Sequence, residues 1–247
     1  MASALAAEIA RALTEQPALV LGLPTGRTPI PLYAELVSLH RAGRADFSQA
    51  STFNLDEFLG LSAHDEGRYY AFMREHLFDH VNLAKTRIHF LNGATADPER
   101  ECARYEHTIE RAGGIDLQIL GLGANGHIGF NEPADSLVAR THRTRLRQAT
   151  RRANSSRFGN RPSAVPREAL SMGVATILAA RRIILMATGS GKAACVERMI
   201  RGPLTTRVPA SFLQVHGSAE AWLDRAAASR LSTTLSVAPR RPRRLRP

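Results

Sequence analysis

Cysteine and lysine are scarce in this 247-residue chain, with two of each. Cys102 and Cys195 cannot build a disulfide framework, and each falls in a helical pattern where a small buried hydrophobe is the plain reading. Reduced thiols and a cytoplasmic location are therefore expected. Aromatic residues make up only 6% of the chain, and no zinc-finger, recognition-helix or aromatic RNA-binding motif occurs, so no nucleic-acid partner is expected. No stretch reaches the roughly 18 uninterrupted apolar residues that a membrane span requires. The first residues, ASALAAEIARAL from Ala2 to Leu13, lack a basic flank ahead of a long apolar run; they read as an amphipathic helix rather than a leader. Histidines are scattered, with no close pair at ligand spacing beside an acid, so neither a metal nor any other cofactor is expected.

Charge is present in excess. The net charge is +11, carried almost wholly by arginine, since only Lys85 and Lys192 of the 33 basic residues are lysines. Five of the arginines stand in RRPRRLR, Arg240 to Arg246, and removing them leaves +6. Residues 231–247 read as a disordered Arg/Pro-rich tail. The remaining excess is densest between Arg140 and Arg167, a Ser-, Asn-, Gly- and Pro-containing stretch suited to a basic loop that meets phosphate.

Before the tail the chain alternates short apolar runs with helical patterns. Strands are expected at 18–23, 50–55, 87–91, 115–120, 182–188 and 211–215, with a strand or helix around Trp222. Helices are expected at 29–41, 66–80, 98–112, 166–180 and 192–200. Such alternation implies an α/β fold: a Rossmann-like, open, mostly parallel sheet with helices on both faces, in a single domain over residues 1–230.

Four segments carry candidate chemistry. LPTGRTP, Leu23 to Pro29, lies between a strand and a helix. Its backbone amides can cradle phosphate, with hydroxyls from Thr25 and Thr28, or the segment is an ordinary turn capped by Thr28. FNLDEF, Phe53 to Phe58, puts Asp56 at a strand end between Leu55 and Phe58. Partial burial there would raise its pKa and make it a better base, although a turn aspartate is the commoner use of such a residue. GLGANGHIGFNEP, Gly121 to Pro133, sets an amide, an imidazole and a carboxylate (Asn125, His127 and Glu132) just past a strand's carboxyl end, where open α/β sheets bind ligands. Its GxGxxG start is followed by Gly129 and Pro133, which oppose the helix a dinucleotide site needs. ATGSGK, Ala187 to Lys192, suggests a nucleotide P-loop but has Met186 at the first glycine position and Ala193 where Ser or Thr would bind magnesium. What remains is Lys192 at a helix start, unfavourable to the helix dipole unless an anion is near.

LGLPTGRTP, FNLDEFLGL and GLGANGHIGFNEP, in this order, resemble the signatures of the glucosamine-6-phosphate deaminase family, over about residues 4–224. The 6-phosphogluconolactonases share the fold and the GxGxxGH start, but the FNEP continuation favours the deaminase branch. The resemblance implies an enzyme that opens the sugar ring, moves a proton from C2 to C1 and releases ammonia, giving fructose 6-phosphate, as a monomer or homo-oligomer. It implies Asp56 as the C2 base, with Glu57 as the competitor in principle. His127 opens the ring, Glu132 holds or polarises it, and Asn125 assists. Phosphate would be bound by Thr25, Gly26, Arg27, Thr28, Lys192 and an arginine of the ANSSRF segment, Arg157 being the best match despite a one-residue insertion. Arg27 stands where the family usually has Gly or Ser, so its side chain either points away from the sugar or joins the phosphate. A lactonase, or a sugar-phosphate-sensing regulator without turnover, is the alternative.

Overall fold

The structure, a computed structural model, describes residues 1–62 and 64–231. Most of the tail expected at 231–247 lies outside the described residues. Helix α1 (Ala2–Glu15) buries Leu5, Ile9 and Leu13 at the four-residue spacing of one face and packs against α2 (Ile30–Arg41). Strand β1 (Val20–Leu23), entirely buried, precedes α2, and β2 (Ser51–Asn54) follows it. Next come β3 (Asp56–Phe58), α3 (Tyr69–His76), β4 (Ile88–His89) and α4 (Pro98–Arg111). Asp97 caps α4 by accepting from Arg100 N, and Pro98 takes the first helical position, where no amide donor is needed. The second half contains β5 (Leu117–Gly121), β6 (His142–Arg145), α5 (Gln148–Ala153), β7 (Glu168–Ser171), α6 (Val174–Leu178), β8 (Arg182–Ala187), α7 (Ala193–Arg201) and β9 (Ala219–Leu223).

Six strands form one parallel sheet in the order β4-β2-β1-β5-β8-β9. Successive strands add outward in both directions from the β1–β5 pair, so the topological switch point lies between these two strands. Their carboxyl ends, Leu23 and Gly121, open into the crevice where such sheets bind ligands. Leu5, Leu32, Leu36 and Met73 pack on one face of the sheet. Tyr105, Ile177, Val196 and Met199 pack on the other, as the double winding requires. No helix among the described residues is long and apolar enough to cross a membrane.

A second sheet, antiparallel in the order β3-β7-β6, was not expected from the sequence. The chain crosses between sheets at Leu55: its amide donates to Leu23 O of the parallel sheet (3.3 Å), and its carbonyl accepts from Met172 N beside the small one (2.8 Å). Asp56 therefore opens a strand of its own and pairs with Ser171. The helix expected at 166–180 is replaced by β7 and the short α6. Ala169, Leu170 and Ser171 are buried between β3 and β6, so sheet pairing overrides a run without strict alternation. The strand expected at 211–215 is a 3-10 segment, Pro209–Val215. Pro209 begins it, and β9 occupies the sheet edge beside β8 instead. The helix expected at 66–80 shortens to α3 and a 3-10 turn at Phe78–His80.

Candidate active site

The turn after β1 is fixed from below. Tyr33, wholly buried in α2, donates its hydroxyl to Pro24 O. Gly26 takes φ +101°, a conformation that L side chains rarely adopt. The Thr25–Thr28 backbone thus wraps ahead of α2, whose first amides lack partners within the helix.

Asp56 and Glu57 are both buried, and pairing with β7 sends their side chains to different surroundings. Glu57 Oε1 accepts from Phe58 N and Tyr69 N, each at 2.9 Å, and its Oε2 accepts from Tyr70 N at 3.0 Å. Arg68 lies 3.5 Å away. Burial pushes Glu57 upward, while the three amides and Arg68 pull the other way. It is committed to the amino end of α3. Asp56 lines the crevice, with burial first and the neighbouring Glu57 charge second raising it to about 8. The direction is the one expected from the sequence.

Past β5, the glycines make room for His127. A Cβ on Gly123 would lie 2.4 Å from the imidazole, so only glycine fits there. Asn125 Oδ1 accepts from His127 N (3.2 Å), and Asn125 Nδ2 donates to Glu132 Oε2 (2.7 Å). His127 Nδ1 stands 3.8 Å from the same Glu132 oxygen, an ion-pair distance too long for a hydrogen bond. Thr150 of α5 donates its hydroxyl to Glu132 Oε1. Burial alone would raise the Glu132 carboxyl; interactions with His127, Thr150 and Asn125 outweigh it and hold the group at about 2. Glu132 is thus an ionised carboxylate facing an imidazole. Asn131 is structural: its side-chain amide donates to Ile128 O and Met172 O, tying the loop to the end of β7.

One cavity of about 450 Å³ collects these parts. Thr25, Gly26, Arg27 and Thr28 line it together with Asp56, His127 and Lys192. Its volume suits a small polar ligand. Lys192 immediately precedes α7, has no anionic partner among the described residues, and is pushed below the ordinary lysine range by burial. Arg157 is not brought to this cavity. Its guanidinium meets Glu75 at 3.2 Å, donates to Glu66 O at 2.5 Å and lies over the Phe72 ring, on an adjoining cavity of about 570 Å³. Arg157 stands in a 3-10 turn, Ser155–Phe158, after α5 has ended. Thr150, Tyr69 and Asn154 also line the active cavity, with Tyr69 donating to Asn154 Oδ1 at 2.7 Å. None was legible in the sequence, because no short-range spacing links them to His127 or Asp56.

A buried carboxyl raised to about 8, an imidazole–carboxylate pair and a glycine-containing turn ahead of a helix meet at a doubly wound switch point, an arrangement suited to acid–base chemistry on a small polar ligand. The chain belongs to the glucosamine-6-phosphate isomerase/6-phosphogluconolactonase family, whose model matches residues 1–222. It is 50% identical to glucosamine-6-phosphate deaminase of Alkaliphilus oremlandii, covering 90% of this chain and 92% of that one. It is 48% identical to glucosamine-6-phosphate deaminase 2 of Bacillus subtilis, covering 87% and 86% respectively. Among solved structures, a monomeric glucosamine-6-phosphate deaminase superposes with a TM-score of 0.88 at 41% identity, covering 93% of this chain and 95% of that one. A 6-phosphogluconolactonase from Trypanosoma cruzi reaches 0.71 at 19% identity and 94% coverage of both chains, a likeness of fold alone.

Proposed function

We propose that this protein converts glucosamine 6-phosphate and water to fructose 6-phosphate and ammonia. The observation that carries the reading is the sharing of one cavity by Asp56, His127, the Thr25–Thr28 turn and Lys192, with Glu132 directly behind His127. The phosphate sits on the turn amides and the two threonine hydroxyls, and Lys192 supplies positive charge. His127 takes the proton of the anomeric hydroxyl and returns one to the ring oxygen, opening the pyranose. Glu132, ionised and held by Asn125 and Thr150, stabilises the imidazolium formed in that step.

Asp56 then removes the C2 proton of the open-chain aldehyde and delivers it to C1. C1 becomes the hydroxymethyl carbon, its oxygen taking a proton given up by the substrate's ammonium group, and C2 becomes an iminium; water adds to C2 and ammonia leaves. A carboxyl near 8 is poised to accept and release a proton around neutrality, the property this transfer needs. The test is ammonia release from a panel of amino-sugar phosphates with a chelator present. Equal amounts of ammonia and fructose 6-phosphate are expected from glucosamine 6-phosphate. Hydrolysis of 6-phosphogluconolactone, with no ammonia from any amino-sugar phosphate, would replace this reading with the lactonase one.

A further inference from the structure

The positive charge at this cavity comes from the turn after β1 and from the start of α7. Arg27 and Lys192 are the only arginine or lysine side chains that line the active cavity among the described residues. Arg157 is held by Glu75, by the carbonyl of Glu66 and by the face of Phe72, and it reaches only the adjoining cavity. Moving it would sacrifice an ion pair, a hydrogen bond and a ring contact together. The Arg27 guanidinium has no hydrogen-bond or ion-pair partner among the described residues, and Arg27 lines both cavities. It follows Gly26, which takes φ +101°, in the turn that lines the cavity.

From this placement we infer that Arg27 is a specificity residue, a guanidinium clamp on the substrate's phosphate that works opposite Lys192 and fills the role the sequence assigned to Arg157. A planar fork suits a phosphate's oxygens, and a side chain that need break no protein contact loses little on engaging it. The inference deepens the proposed function by naming what selects a phosphorylated over an unphosphorylated sugar.

The test compares Arg27→Ser, Arg27→Lys and Arg157→Ala with the parent. The readouts are steady-state ammonia release and calorimetric titration with inorganic phosphate. Arg27→Ser should raise KM about tenfold with kcat within about twofold, the pattern of lost uniform binding, and weaken inorganic phosphate by a similar factor. Arg27→Lys should recover part of both, and Arg157→Ala should change phosphate affinity by less than about threefold. Phosphate affinity unchanged in Arg27→Ser, or lost in Arg157→Ala instead, would overturn the inference. If the parent releases no ammonia but binds phosphate through Arg27, the clamp stands and the proposed reaction falls, so the two failures are separable.

Discussion

At the scale of single residues, the site is a division of labour between two adjacent acids. Asp56 keeps its carboxyl free and raised to about 8, whereas Glu57 spends its oxygens on three backbone amides. A raised aspartate binds a proton in the folded state that the unfolded state has already released between pH about 4 and about 8. Its stability contribution is therefore full below about 4 and lost as pH rises through 8. Asp56→Asn removes that loss, so the variant's melting temperature should exceed the parent's by more at pH 8.5 than at pH 5, while ammonia release falls at least 100-fold. An equal melting difference at both pH values would show that Asp56 titrates normally. In the parent, kcat/KM should climb through neutral pH and level off above about 8. Asp56, Asn125, His127 and Glu132 could be singled out because two short motifs hold them, and the Thr25–Thr28 turn because it joins a strand to a helix. Thr150 was not, since its partner Glu132 is 18 residues away and only the fold brings them together. The placement of Arg157 outside the cavity was not legible, because sequence register says nothing about Glu75, 82 residues away, which holds it.

At the scale of elements, Glu57 is the fastening between the small sheet and α3. It accepts from Tyr69 N and Tyr70 N, the first amides of a helix that has no side-chain cap of its own. Glu57→Ala orphans these donors inside the protein at a cost of about 3 kcal/mol, which for a chain of this size lowers the melting temperature by roughly 6 to 12 °C. Thermal denaturation followed by circular dichroism checks this. A shift below about 2 °C would mean that water or another group replaces the carboxylate. The parallel sheet was legible from its apolar runs, because strands buried on both faces need no alternation to be noticed. The antiparallel sheet was hidden for the opposite reason. β3 has three residues and β6 reads HRTR, so neither carries a periodic signal, and β7 acquires its conformation from pairing with them.

At the scale of the molecule, the +11 charge and the chemistry are separate matters. Five arginines lie in the segment 240–246, yet the cavity's positive charge comes from Arg27 and Lys192. Deleting the chain from Pro239 onward should leave KM for glucosamine 6-phosphate within about twofold, whereas Lys192→Ala should lower kcat/KM about 10- to 100-fold, the worth of one charge-assisted hydrogen bond to phosphate. Steady-state assays of both variants at one ionic strength make the comparison. The central claim, that Asp56 moves a proton between C2 and C1 after His127 has opened the ring, is tested most directly by running the reaction with glucosamine 6-phosphate deuterated at C2. Deuterium at C1 of the fructose 6-phosphate formed is then measured alongside ammonia. The parent should label C1 and release ammonia; Asp56→Asn should lose both while still binding an open-chain amino-sugar alcohol phosphate nearly as tightly as the parent. Labelling and ammonia release retained in Asp56→Asn within about threefold of the parent, far short of the loss a general base commands, would place the base elsewhere and contradict the account.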